Sequence, residues 1–212
     1  MLPLERLGSA PPGFDPLLGD PRLLGEIERL EVKGVGFEGR ARVIRQHFGD
    51  DGLVTLADTL QPATRKLLLE PPLASSWAPF AAMMEIEVAM IHELYAGDPS
   101  QHAAISANVA RDDLPSLYKF VIRLGGPKKV LKRLAVAFAS RVRPGSMDSE
   151  LIGPREGAAT IHDCVLPFYF CEHGLPAWAT VAMTLAGERD PVVEQVACRH
   201  FGAPACRYRV AW

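Results

Sequence analysis

The change of pattern at Pro144-Gly145 constrains this chain more than any other feature. Before it, apolar side chains recur at helical spacing. After it come short β-compatible runs punctuated by turn residues, with one helical stretch between them. In the first part, Arg40 to Phe48 carries Ala41, Ile44 and Phe48 on one stripe and stops at Gly49. Ser75-Ser76 is placed to cap a helix through Trp77, Phe80, Met84, Val88, Ile91 and Leu94, closed by Gly97. Further helices are expected over 99–110, over 113–124 ending at Gly125-Gly126, and over 127–141 with Pro127 in the first turn. In the second part, SELIG and GAATIHDCVL read as a hairpin around Pro154 to Gly157, and a helix follows over 174–186. VVEQVAC and CRYRVAW then read as two strands joined by RHFGAPA, whose Gly202 and Pro204 supply the turn. An opening strand is expected from Leu30 in LEVKGVGFEG. The expected fold class is α+β, a helical half packed on a small antiparallel sheet.

At 212 residues and 48% apolar content, the chain can bury a sizeable core as one domain. Residues 1–25 form a Pro/Gly-rich arm, because Pro11, Pro12, Gly13, Pro16, Gly19 and Pro21 are too closely spaced for a helix or central strand. Its Leu17, Leu18, Leu23 and Leu24 favour docking on a surface. Residues 26–212 are expected to form a single α+β domain of ligand-binding or scaffold type. A net charge of -2 leaves no basic footprint for nucleic acid. The one dense basic run, Lys128, Lys129, Lys132 and Arg133, fits the solvated face of a helix whose other face carries Val130, Leu131, Leu134 and Phe138. The N-terminus has no basic start followed by an apolar stretch, and no apolar run approaches the roughly 20 residues of a membrane span. A cytoplasmic protein is the expectation, with its four cysteines as thiols or metal ligands.

Three of those cysteines carry the strongest chemical signal. Cys198 and Cys206 lie symmetrically about Gly202, so a hairpin turning there brings them together, and the helix after Cys171 returns the chain to the same place. The trio is either part of a zinc site or part of a core, since free cysteines are among the most buried residue types. Zinc needs a fourth ligand for a closed tetrahedral set. Candidates are Glu194, Gln195, Glu172, His173 and His200, and strand alternation favours Glu194 because it shares parity with Cys198; a slipped or bulged strand would reverse that choice. Cys164, inside an expected strand, reads as a small buried hydrophobe. His92 and His102 fall on or near helices as lone residues, and His162 next to Asp163 is a candidate pocket group. No G-x-S-x-G, H-E-x-x-H, Walker or G-x-G-x-x-G motif occurs with its required surroundings, so no catalytic residue is assigned and a non-enzymatic protein is expected.

The stretch from Phe170 to Trp212, with its Cys, helix, strand, C-x7-C spacing and closing aromatic, resembles the end of the 4-vinyl reductase domain. That fold is shared by haem-nitric-oxide-binding domains and the Bet-type subunits of the TRAPP tethering complex. In aromatic-sensing activators with a similar module, three cysteines and a glutamate hold a structural zinc. The resemblance places Cys171, Cys198 and Cys206 on the cysteine positions, and the glutamate position falls on or beside Gln195, with Glu194 next to it. From Val32 onward, VKGVGFEG, the helix expected at Trp77 and LPSLYKFVIRLGGP are similar to a paralogous family of unknown function expanded in myxobacteria. The resemblance implies a structural zinc but not haem, because the haem-binding members pair a helical histidine with a Y-x-S-x-R motif that this chain lacks.

Two functions follow as expectations. The first is a regulatory or sensory domain that encloses a small hydrophobic ligand, a pocket that Phe80, Met83, Met84, Met90, Tyr118, Phe120, Phe168 and Tyr169 permit and an ordinary filled core would also use. The second is a homodimeric adaptor or scaffold for signalling or GTPase partners.

Overall fold

The computed structural model describes the backbone of residues 7–123 and 126–212, and their side chains except at 113 and 115–123. It is an α+β fold of seven α-helices and seven strands among the described residues. The arm lies along the rest of the chain. The Leu17 and Leu18 carbonyls accept hydrogen bonds from the Tyr169 and Phe168 amides at 2.8 and 3.3 Å. Phe14 packs edge-on against Phe168 with ring centroids 5.0 Å apart. A four-residue helix, α1 (Leu24–Ile27), then leads into the domain.

The opening strand is shorter than its sequence suggested. Strand β1 covers Glu31–Lys33 only, and helix α2 (Val35–Thr59), kinked at Gly49, starts within the expected strand. The glycines of VGFEG look β-compatible locally, but Phe37, Ala41 and Ile44 are buried at helical spacing, and that burial decides the outcome. Helix α3 (Pro62–Leu69) follows, in a stretch whose prolines gave no helical reading. Ser75-Ser76 does not cap a helix. Trp77–Pro79 form strand β2, paired with β1, and helix α4 runs from Phe80 to Leu94. Pro79 accounts for the delay, since the residue before a proline is pushed into extended conformation.

Helix α5 (His102–Arg123) is one continuous helix where the pattern suggested two, and helix α6 covers Gly126–Ala139. The basic run behaves as expected: Lys128, Lys129 and Lys132 are exposed while Val130, Leu131, Leu134 and Phe138 are buried. Strand β3 (Val142–Arg143) adds to β1, giving a small sheet of order β2-β1-β3. Strands β4 (Ser146–Gly153) and β5 (Glu156–His162) form the expected hairpin. Helix α7 (Leu175–Leu185) and strands β6 (Val192–Ala197) and β7 (Cys206–Ala211) complete the chain. The larger sheet is antiparallel with order β4-β5-β7-β6.

Helix α6 lies on that sheet at Gly157, where a β-carbon would sit 2.3 Å from Leu131 Cδ2, so a side chain there would push the helix off. One apolar cluster joins α5, α6 and α7 to the four-stranded sheet, and a second joins α2, α3 and α4. Among the described residues, no helix is long and apolar enough to cross a membrane.

Candidate functional site

Between the two apolar clusters lies a cavity of about 110 Å³. Its wall comes from α2, α4, α5, α6, α7 and both sheets, and is mainly apolar, with Phe80, Met83, Val109, Leu134, Phe138 and Trp178 prominent. Arg40, Glu87, Ser106 and Tyr208 are the polar residues that reach it from within the core, while Lys33 and Arg141 line it from the small sheet and its approach.

Arg40 and Glu87 form the buried charged pair of this cavity. Arg40 Nε donates to Glu87 Oε1 at 2.7 Å, Nη2 donates to the same oxygen, and the Tyr169 hydroxyl donates to Oε2 at 2.7 Å. Burial pushes the Glu87 carboxyl up, but the Arg40 charge and the donated hydrogen bonds outweigh it and hold the group below the usual carboxylate range. Burial and the neighbouring carboxylate push the Tyr169 phenol well up, so it stays a donor. His102 lies against this cluster, its ring edge-on to Tyr169 with centroids 4.6 Å apart. Its Nε2 pairs with Ser106 Oγ at 3.2 Å, and its Nδ1 is buried without a partner. Burial lowers its pKa to about 4, so the imidazole is neutral near pH 7.

A signal for this cluster was present in the sequence and was not used. Glu87 interrupts the stripe of Met83, Met90 and Ile91 at positions i+4, i+7 and i+8, and Arg40 interrupts that of Phe37, Ala41 and Ile44. Two opposite charges, each alone on an apolar stripe, are a signature of a buried pair.

The three cysteines converge as their spacing implied. Cys171 sits in a π-helical turn, Phe170–Gly174; Cys198 precedes a 3₁₀ turn, Arg199–Phe201; and Cys206 opens β7. Gly202 takes the left-handed conformation, φ 84°, that reverses the chain between the last two. The Cys171 thiol donates to the Leu166 carbonyl at 3.5 Å, and the Cys206 sulfur accepts from the Arg199 amide at 3.4 Å. The neighbouring thiols pull Cys206 down, and the nearness of Cys206 together with burial pushes Cys171 and Cys198 up. Cys164 is buried nearby as a core residue, its thiol pushed up to about 12 by burial.

The structure places Gln195 rather than Glu194 on the side of Cys198. The register of β6 against β7 shifts between Gln195 and Ala197, and this bulge reverses the parity relative to Cys198. Gln195 is buried beside Cys198, and its Nε2 donates to the Tyr208 hydroxyl at 3.3 Å. Glu194 instead accepts from Arg209 Nη1 at 3.2 Å. Gln195 Oε1 is buried without a hydrogen-bond partner. All three cysteines are free, and among the described residues no group of three or more His, Cys, Asp or Glu side chains is set to hold a metal ion.

Of the other expected residues, Phe80 and Met83 line the cavity, whereas Met90 belongs to the second apolar cluster and Phe168 to the aromatic contact with Phe14 and Phe201. The Tyr118 and Phe120 side chains lie outside the described residues. His162 pairs with Asp148 at 3.3 Å, away from the cavity lining. His92 is exposed, and His200 is buried, accepting from the Asp20 amide at 3.0 Å.

This arrangement can be set beside known proteins. A family model described as protein of unknown function (DUF2378) matches residues 117–212. No curated protein matches. Among solved structures, the chain is similar to an H-NOX protein from S. oneidensis in the Fe(II)NO ligation state, with a TM-score of 0.64 at 12% identity, covering 84% of this chain and 97% of that one. It is also similar to an unliganded Fe(II) H-NOX protein from K. algicida, with a TM-score of 0.53 at 9% identity, covering 84% and 95%. At these identities the likeness is one of fold, and it defines the class of this chain: an α+β domain with the H-NOX arrangement of helices and sheet.

Proposed function

We propose that this chain is a non-enzymatic regulatory or sensory domain, of the broader 4-vinyl reductase and TRAPP-like type, that encloses a small hydrophobic ligand. The cavity is the observation that carries this reading. It is walled by both halves of the fold, so a molecule inside it would touch helices and sheet together, and filling it would favour one packing of the two halves. The H-NOX likeness supports a sensory role by fold. Haem finds no His or Cys on the cavity wall among the described residues, where Met83, Met147 and Tyr208 are the axial-ligand types present. Tyr208 is committed, donating to the Cys171 carbonyl at 3.2 Å and accepting from Gln195. The ligand of this reading is an organic apolar molecule, matching the mainly apolar wall.

The same proposal includes a structural zinc at the last hairpin. Cys171, Cys198 and Cys206 are buried thiols close enough to influence one another, and with a rearrangement of their side chains they and the unpartnered Gln195 Oε1 would make a Cys₃ set with a neutral oxygen donor. Metal binding would release the thiol protons and tie the turn after Phe170 to β6 and β7. A homodimeric adaptor is the second reading, supported by Val192 and Val196 exposed on the edge strand β6.

Native mass spectrometry of the purified protein should show a molecule carried through purification, and benzene or indole at saturating concentration should raise the melting temperature. If no molecule is carried and neither probe shifts melting, the sensory reading fails. Elemental analysis should find one zinc per chain, lost in Cys198→Ser; an absence of zinc in the parent protein would remove that part of the proposal.

A further inference from the structure

The inner end of the cavity has a hydrogen-bonding edge that the protein uses poorly. Arg40 directs Nε and Nη2 at Glu87, but Nη1 reaches only the Gly36 carbonyl, at 3.5 Å. That lies beyond the usual 2.7–3.2 Å for N–H···O. Arg40 lines the cavity, and this nitrogen sits near other lining residues. A β-carbon placed on Gly36 would lie 2.9 Å from Met83 Cε, 3.7 Å from Val32 Cγ2 and 3.9 Å from Arg40 Nη1, and all four residues line the cavity. Arg40 itself is only 8% exposed, so a group in the cavity is the natural partner for this donor.

Charge then selects the kind of group. Glu87 already balances Arg40, Tyr169 is a neutral donor, and His102 is uncharged near pH 7. A carboxylate brought to Nη1 would leave a net negative charge in an apolar enclosure with Glu87 just across the guanidinium. A neutral oxygen would occupy the donor and add no charge. The cations at the cavity's outer side do not alter this balance at the inner end: Lys33 Nζ donates to the Ser75 carbonyl at 2.6 Å and sits 3.9 Å from the Trp77 ring centroid, and the Arg141 guanidinium lies 6.0 Å from that of Trp178.

We infer that the cavity takes an apolar molecule bearing one neutral hydrogen-bond acceptor, a carbonyl or similar oxygen, and that Arg40 Nη1 is the donor that orients it. This rests on the reading of the cavity as a ligand site and adds the chemical class of the ligand. Apolar walls supply affinity, and the single donor rejects molecules that leave it unpaired.

Three size-matched probes separate these points: acetophenone with a carbonyl, ethylbenzene with no acceptor, and benzoate with a full charge. Calorimetric titration should find acetophenone about tenfold tighter than ethylbenzene, the order expected for one hydrogen bond to a charged group, and benzoate weaker than acetophenone. The preference for acetophenone should vanish in Arg40→Met/Glu87→Met, which removes both charges together. It should also shrink in Arg40→Lys, which keeps the charge and withdraws Nη1. Equal binding of acetophenone and ethylbenzene would overturn the inference while leaving the cavity a ligand site. Tightest binding by benzoate would overturn it in favour of Lys33 and Arg141. Binding by none of the three would overturn the ligand reading and this inference with it.

Discussion

The fold has two buried polar centres, and they solve the same problem in opposite ways. At the cavity, Arg40 and Glu87 carry fixed opposite charges that neutralise each other, and Tyr169 fills the remaining carboxylate oxygen. At the last hairpin, Cys171, Cys198 and Cys206 are buried free thiols that shift one another's pKa, and Gln195 Oε1 has no hydrogen-bond partner. The first centre is electrostatically closed and offers only a spare donor. The second is proton-labile and has a spare acceptor, so it is the one whose state can change with metal. The first should therefore fail when one member is removed, whereas the second should respond to what is bound.

The largest effect expected from this contrast is at Glu87. Replacing it by alanine leaves the Arg40 guanidinium buried without a counter-charge and the Tyr169 hydroxyl without its acceptor. Breaking a buried pair in this way costs about 3–5 kcal/mol. The double change Arg40→Met/Glu87→Met removes both charges and should cost clearly less. Urea unfolding of the three proteins measures this directly. Equal losses in the single and double variants would mean that the pair is not electrostatically closed.

A smaller effect should appear with pH, through His102 beside the same centre. Its folded pKa of about 4 lies below the ordinary 6.5, so as pH falls from about 6.5 the unfolded chain takes up the proton before the folded one. Stability is therefore full above about 6.5 and declines towards pH 4, by roughly 3 kcal/mol in all. Glu87 adds a loss of its own only lower down, within and below the carboxylate range, because its folded pKa is depressed. Urea midpoints between pH 7.5 and 4.5 should show the decline, and His102→Gln should reduce it, leaving the part due to His173 and His200, whose pKa values burial also lowers. A parent protein with no pH dependence over that interval would place His102 in contact with water.

These expectations also show what the sequence could convey. The switch at Pro144-Gly145 located the change from helices to the four-stranded sheet, because alternation and turn residues are local signals. The convergence of the cysteines was legible for the same reason: a hairpin about Gly202 and a helix of known rise fix distances without tertiary information. Strand β2 was missed because its existence depends on pairing with β1, more than forty residues away, and only Pro79 hinted at it. The Arg40–Glu87 pair was present as two anomalies on two apolar stripes, but joining them required the packing of α2 against α4. Local geometry was readable, and partners distant along the chain were not.

The smallest effect bears on the fourth position of the thiol centre, where parity and bulge disagree. Glu194 lies in a partly exposed pair with Arg209, so Glu194→Ala should cost less than about 1 kcal/mol and leave zinc content unchanged. Gln195 faces Cys198, so Gln195→Ala should weaken zinc retention against a chelator while leaving the strand paired. The bulge between Gln195 and Ala197 makes the difference, since without it the two residues would exchange faces. Zinc content and chelator competition on the two variants therefore report the register of β6 as much as the ligand. Loss of zinc in Glu194→Ala with full retention in Gln195→Ala would show that β6 pairs without the bulge, and would return the fourth position to Glu194.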